Sequence, residues 1–166
     1  MGHPSVHGST PIAAMMGDMG WTDIHIKQSL CKIRFWNRMI DMDYTRITKR
    51  IFLWDYTQQS GIWSNDMWTL FSSIDNSHVY NELLKCDIKD MEVKLMQNYI
   101  TQWKGTIDKL PKLRTFILFK NVYRPEPYIK MKISRRRRSL ISQFRFGILP
   151  LEVETGRCAP IYDKSI

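Results

Sequence analysis

The sequence predicts an all-α fold: an irregular assembly of about six to eight short helices, with an irregular N-terminal arm and C-terminal tail. Three observations favour it. Apolar residues recur at spacings of three and four along most of the chain, which is the period of an α-helix. Ser, Asp and Asn residues precede several of these segments and can cap them. Gly and Pro residues separate the segments by short connections.

Length and composition are those of a folded protein. The 166 residues suffice for one domain with a hydrophobic core, and an apolar fraction of 43% excludes wholesale disorder. The residue pattern divides the chain into an irregular arm at 1–21, a helical region at 22–129, a basic helix with a Gly/Pro loop at 130–157, and a tail at 158–166.

The first long helix is predicted to begin with a cap at Thr22 or Asp23 and to run to about Met42. Its apolar residues recur at i, i+4, i+7, i+10 and i+14, so they form one buried stripe. These residues are Ile26, Leu30, Ile33, Trp36 and Ile40.

A second helix is predicted from Asp43 to about Tyr56. Its spacing indicates an apolar face on one side and a basic face on another. The predicted apolar face consists of Ile47, Ile51 and Trp54, and the basic face of Arg46, Lys49 and Arg50.

The middle of the chain contains shorter helical patterns. Ser64 is predicted to cap one helix, Asn76 to open another, and Asp87 to open a longer one that Gly105 closes. The run 112–120 fits a helix or a strand. We favour a helix, because no partner strand is evident in the sequence.

The C-terminal helix combines four consecutive arginines with an apolar side. Ser134 is predicted to cap it and Gly147 to end it in a left-handed conformation. Leu140, Ile141 and Phe144 fall on one side of this helix, while Arg138 and Arg145, seven residues apart, share another. The apolar side is therefore predicted to pack on the core.

Charge points to an anionic partner. The net charge is +9, and residues 130–166 contain nine Lys or Arg against three acids. Such a balance is most often explained by RNA or DNA, whose phosphates match guanidinium groups. A solvated charge run or a nuclear-import signal explains the arginines equally well. The candidate phosphate contacts are Arg135, Arg136, Arg137, Arg138 and Arg145, followed by Arg34, Arg38, Lys49 and Arg50.

The sequence contains none of the common catalytic or metal-binding motifs. It has no Cys/His pattern for zinc, no Gly-x-Ser-x-Gly nucleophile elbow and no Gly-rich phosphate loop, so we expect no metal, no cofactor and no catalytic residue. Three distant cysteines, no signal peptide and no membrane-length apolar run predict an intracellular protein, nuclear or cytoplasmic, that is neither secreted nor membrane-bound.

Three stretches resemble the region that follows the polymerase palm in LINE-type, non-LTR retrotransposon reverse transcriptases. The first comprises Thr10-Pro11 and Gly17-Asp18-Met19-Gly20-Trp21. The second comprises Arg34, Trp36-Asn37-Arg38, Met42-Asp43, Arg46-Ile47-Thr48-Lys49, Ile51-Phe52 and Trp54-Asp55. The third comprises Lys112-Leu113-Arg114-Thr115-Phe116, Phe119-Lys120, Arg138-Ser139, Phe144-Arg145-Phe146-Gly147-Ile148-Leu149-Pro150-Leu151 and Glu154-Thr155-Gly156-Arg157.

The resemblance implies the thumb and linker part of such an enzyme, cut before its zinc cluster and after its catalytic palm. It thus implies no polymerase activity, a palm domain as a partner, and contact with the template–primer. Consistent with this, the chain contains no Asp-Asp pair for a two-metal turn. We interpret the chain as a non-catalytic fragment that retains non-specific nucleic-acid binding. The alternatives are a helical protein-interaction module and a decayed copy without a selected function. Membrane-surface binding is the least favoured.

Overall fold

The computed structural model describes residues 11–59 and 61–148, except for the side chains of Lys112 and Arg114. Across these ranges the protein contains nine α-helices and no strand, so the predicted all-α class is confirmed. Predictions for residues 1–10 and for the loop and tail from residue 149 onward lie outside the described residues.

Most of the helices are short, although two have 18 and 21 residues, and they follow one another closely. Their bounds are α1 Ile12–Met19, α2 Ile24–Asp41, α3 Ile47–Gln58, α4 Ile62–Ser73, α5 Ser77–Asn81, α6 Ile88–Asp108, α7 Arg114–Phe119, α8 Pro127–Lys130 and α9 Arg135–Arg145, with a single 3-10 turn at Pro111–Leu113. The chain forms two compact units. Residues 22–102 make up the central unit. The described part of the terminal unit consists of residues 11–21 and 103–148.

The central unit is built on α2, which begins as predicted. The Asp23 carboxylate accepts a 2.7 Å hydrogen bond from the backbone N–H of His25 and so caps the first turn. The predicted stripe is buried at Ile26, Leu30, Ile33 and Trp36, whereas Ile40 is only partly buried. The regular spacing over 18 residues leaves α2 one apolar face.

Trp36 lies at the centre of an aromatic cluster. Its ring is fully buried and lies within 6 Å, centroid to centroid, of four other rings: those of Phe52, Trp63, Phe71 and Tyr80. The indole N–H donates a 2.8 Å hydrogen bond to the carbonyl of Leu84. Because the polar atom is satisfied, the whole side chain can be buried without an uncompensated donor.

The predicted apolar face of α3 is wrong. Ile47, Ile51 and Trp54 are 72%, 59% and 63% exposed, and α3 instead buries Phe52 and Lys49. Phe52 packs edge-on against Trp36, and this contact selects the buried face. The helix also begins four residues later than predicted. The cause is local, since the Asp43 carboxylate accepts the N–H of Thr45 and forms a turn first.

Two of the predicted boundaries between residues 60 and 110 hold and two do not. Asn76 and Asp87 directly precede α5 and α6, as predicted. Ser64, however, lies inside α4 and donates a 2.8 Å hydrogen bond to the Asp55 carboxylate. Gly105 does not end α6, which continues to Asp108. A Cβ atom at Gly105 would meet open space, so no close contact requires a glycine there.

In the terminal unit, residues 12–19 form α1, so the prediction of an irregular arm is wrong for them. Gly20 ends α1 in the left-handed conformation, and the N–H of Trp21 bonds back to the carbonyl of Met16. α1 packs closely at Gly17, where a Cβ atom would overlap the indole of Trp103. The core of this unit consists of Ala14, Trp103, Ile107, Leu113, Phe116 and Phe146.

The ambiguous run 112–120 is helical, as favoured, and α9 has the predicted ends. Ser134 accepts the N–H of Arg137 at 3.3 Å, and Gly147 adopts φ 63°. The predicted buried side of α9 is nevertheless wrong. Leu140, Ile141 and Phe144 are all exposed, whereas Ser142 on another side is buried. The reason is that Arg145 of α9 pairs with the buried carboxylate of Asp18.

Candidate functional site

Arg135, Arg136 and Arg137 form the exposed first turn of α9. Within the described ranges none of these three guanidinium groups is paired with a carboxylate. The helix N-terminus carries partial positive charge and free backbone N–H groups. Three added positive charges repel one another and the helix dipole, and a bound anion would relieve both repulsions.

The basic character extends backwards along the chain. Residues 130–138 contain Lys130, Lys132 and four arginines and no acid. Both lysines are exposed. We call residues 130–138 the basic segment. Its charge density is high enough to attract polyanions at moderate salt.

Arg138 differs from the three arginines before it. It is only partly exposed, and one terminal nitrogen donates a 2.9 Å hydrogen bond to the carbonyl of Met131. Its Nε is buried and has no acceptor among the residues that the structure describes. The Arg138 side chain is thus held by a hydrogen bond within the basic segment, and its Nε is a donor without a described acceptor.

Arg145 takes part in a buried ion network. Its Nε and one terminal nitrogen donate to the two carboxylate oxygens of Asp18, each at 2.9 Å. Asp18 is 1% exposed and also accepts a 2.8 Å hydrogen bond from the Tyr128 hydroxyl. This fork-to-fork pair is the strongest arrangement available to an arginine. Because it occupies the guanidinium, we leave Arg145 out of the phosphate interface.

A second ion pair completes the network. The Lys120 ammonium lies 2.6 Å from a Glu126 carboxylate oxygen, and the other Glu126 oxygen lies 3.4 Å from Arg145. Lys120 also donates to the carbonyl of Arg124 at 2.6 Å. With Asp18, the network has two positive and two negative groups. It is neutral as a whole, which makes burial tolerable and suits a structural role.

The pKa values within the network follow from burial and pairing. Burial acts to lower the pKa of the Arg145 guanidinium, but the hydrogen bonds and charge of Asp18, with the charge of Glu126, raise it overall. Burial raises the pKa of the Tyr128 hydroxyl well above its usual range, and the charge of Asp18 adds to this. Tyr128 therefore stays neutral and remains a donor at physiological pH.

Lys49 is also occupied by internal partners. It is 3% exposed, and its ammonium donates to the carbonyls of Met39 and Ile40 at 2.8 and 3.0 Å. These carbonyls belong to the last turn of α2. The Met39 carbonyl also accepts the N–H of Met42 at 3.3 Å, whereas the Ile40 carbonyl has no backbone donor among the described residues. The ammonium also lies 5.5 Å from the centre of the Phe52 ring. Lys49 closes the C-terminus of α2, so we leave it out of the interface as well.

The substitution Lys49→Met is expected to lower the free energy of unfolding by about 1–3 kcal/mol. The Ile40 carbonyl loses its donor, and the Met39 carbonyl keeps only the N–H of Met42. Arg50→Met, on the exposed neighbour, is the matched control and should change it by about 0.5 kcal/mol or less. Urea denaturation followed by circular dichroism measures both. Equal stability of the two variants would contradict the helix-closing role of Lys49.

The remaining predicted residues are exposed. Arg34 and Arg38 are one helical turn apart on α2, and Arg50 lies on α3, all within the central unit. None of the three is paired with a carboxylate in the described part of the chain. They are available to anions, but they are fewer and less closely spaced than the arginines of the basic segment.

No protein-family model, curated protein or solved structure matches this chain. Among the described residues, no helix has the length and apolar character needed to cross a bilayer. The same residues contain no cluster of three or more His, Cys, Asp or Glu side chains that could hold a metal ion.

Sequence reasoning missed the ion network entirely. Asp18 and Arg145 are 127 residues apart, and no local spacing relates them. Lys120 and Glu126 are six residues apart, and the sequence alone does not distinguish them from ordinary surface charges. One signal was available in the sequence. Arg138, Ser142 and Arg145 are spaced by four and three, so they form a polar stripe along α9 that is a second candidate for its buried face.

Proposed function

We propose that this chain is a non-catalytic, helical, reverse-transcriptase-like fragment that binds the phosphate backbone of RNA or DNA through Arg135, Arg136 and Arg137. One observation carries the binding proposal: three adjacent guanidinium groups are exposed on the first turn of α9 and have no carboxylate partner among the described residues. Guanidinium groups and free N–H groups at a helix N-terminus both favour phosphate oxygens.

The geometry favours the backbone over the bases. The arginines are long, exposed and not held by any neighbour that the structure describes, whereas specific base reading requires side chains fixed at a groove. Binding through such residues is electrostatic and tolerates any sequence. We therefore expect similar affinity for different sequences of one length, and a steep loss of affinity as salt rises.

The triple variant Arg135→Gln, Arg136→Gln, Arg137→Gln is expected to weaken binding of a labelled oligonucleotide by about tenfold at low salt, and to flatten the slope of log K against log salt by about two to three units. Glutamine retains length and helix propensity, so the variant removes charge alone. Fluorescence anisotropy over a range of salt concentrations measures both quantities.

The matched control is Arg34→Gln, Arg38→Gln, Arg50→Gln, which removes the same charge from exposed positions of the central unit. It should change affinity and slope much less. Equal losses in the two triple variants would show that net charge alone attracts the nucleic acid. In that case the assignment to the first turn of α9 fails.

The reverse-transcriptase part of the proposal rests on the resembling stretches, which contain motifs but no catalytic residue. In that setting the basic segment would lie along template or primer beside a palm domain. Mixing the chain with a LINE-type palm domain and measuring association by light scattering tests this part separately from nucleic-acid binding.

A protein-interaction function is the second candidate, because α3 exposes a row of large apolar residues. Ile47, Ile51 and Trp54 lie on one side of the helix at spacings of four and three, with Arg50 beside them. Exposed apolar rows of this kind commonly mark contact surfaces. Apolar docking should persist at high salt, which distinguishes it from phosphate binding.

A further inference from the structure

The terminal unit contains a pocket of about 550 Å³, which is within the range of ligand-binding pockets. Its walls are largely apolar and include Met15, Met19, Trp21, Ile129 and Phe146. The pocket lies beside the basic segment, because Lys130, Lys132 and Arg138 also line it. An apolar cavity with a positively charged edge fits a ligand that joins a flat apolar group to an anion.

Trp21 is held in position at this pocket. It follows the left-handed Gly20, its N–H bonds to the carbonyl of Met16 at 3.2 Å, and its carbonyl accepts a 2.6 Å hydrogen bond from Tyr123. The side chain is nevertheless 39% exposed. A partly exposed indole on a fixed backbone is suited to stacking, because its flat face can pack against another ring.

Apart from Lys130 and Lys132, the polar side chains in the pocket wall are paired within the described part of the chain. Asp18 is bonded to Arg145 and Tyr128, and the Ser142 hydroxyl donates to the carbonyl of Arg138 at 3.1 Å. They offer no free pattern for reading one base against another. The exception is the buried Nε of Arg138, which lacks an acceptor among the described residues. This nitrogen has almost no accessible surface, so a ligand in the pocket does not reach it and it adds no base-reading group.

We infer that this pocket takes one unpaired nucleobase of a single strand, stacked on Trp21, while the adjoining phosphates lie on Lys130, Lys132 and Arg138. The inference rests on the proposed function, which supplies the strand. The inference adds a preference that phosphate contacts alone cannot provide. The protein should bind a single strand with bases more tightly than an abasic strand with the same number of phosphates. Because the wall polar groups are internally paired, the preference applies to any base.

The test compares a labelled thymidine oligomer of about 12 nucleotides with an abasic oligomer of equal length and charge. The wild-type chain is expected to bind the thymidine oligomer about tenfold more tightly. Trp21→Ala should reduce this difference to about twofold or less, with an unchanged salt slope. Trp21→Phe, which retains a ring, should keep most of it. Trp54→Ala removes an exposed tryptophan of the central unit and should leave the difference intact.

The outcomes separate this inference from the proposed function. If the wild type binds both oligomers equally and Trp21→Ala changes nothing, the backbone function stands and the pocket assignment is wrong. If neither oligomer binds, both proposals fail. Far-ultraviolet circular dichroism confirms that each variant is folded. The two hydrogen bonds that hold the Trp21 backbone do not depend on its side chain.

Discussion

Asp18→Ala is expected to lower the free energy of unfolding by about 3–5 kcal/mol, because it leaves a partly buried guanidinium without its main partner. Asp18 is 1% exposed and accepts three hydrogen bonds, two from Arg145 and one from Tyr128. After the substitution, Glu126, at 3.4 Å, is the one described carboxylate that Arg145 still contacts, beside the rings of Phe116 and Tyr128. Urea denaturation measures the loss, and hydrogen exchange should locate it in the terminal unit.

The control for this prediction is Asp66→Ala. Asp66 pairs with Lys32 at 2.8 Å, a distance similar to those at Asp18, but its side chain is 50% exposed. Water and salt screen such a pair, so its loss should cost about 1 kcal/mol or less. A similar small cost for Asp18→Ala would show that the network contributes little. The burial of the Ser142 side of α9 would then need another explanation.

Trp36→Ala is expected to lower the free energy of unfolding by about 3–5 kcal/mol, since it opens a cavity among four aromatic rings. The carbonyl of Leu84 also loses its donor. Trp36→Phe retains part of the packing and should cost less. Thermal and urea denaturation followed by near-ultraviolet circular dichroism report on this cluster, because tryptophan packing dominates that signal.

Trp54→Ala provides the contrast, because the same deletion is made on a side chain that is 63% exposed. It should change the free energy of unfolding by about 0.5 kcal/mol or less. Comparing the two tests the orientation of α3 directly, since the sequence pattern predicted Trp54 to be buried. A large loss at Trp54 would contradict the observed orientation of this helix.

Part of the candidate interface could be predicted from the sequence. Arg135, Arg136 and Arg137 are exposed as expected, because adjacent charges at a helix start are rarely buried. Lys49 and Arg145 could not be placed in this way. Their long side chains reach internal acceptors, the carbonyls that end α2 and the carboxylate of Asp18, that are not visible as a local pattern.

The sequence by itself determined the features that depend on a few neighbouring residues. The caps at Asp23 and Ser134 and the left-handed Gly147 follow from local hydrogen bonds and backbone freedom. The buried face of α2 was also predictable, because 18 residues with one consistent apolar spacing leave a single choice.

Only the tertiary structure decided which face of the shorter helices is buried. α3 and α9 have 12 and 11 residues, and each offers two faces that could pack on a core. In α3 the contact between Phe52 and Trp36 selects the face, at the expense of a larger apolar row. In α9 the pairing of Arg145 with Asp18 outweighs the burial of Leu140, Ile141 and Phe144. Such choices depend on partners distant in sequence, which periodicity along one helix cannot contain.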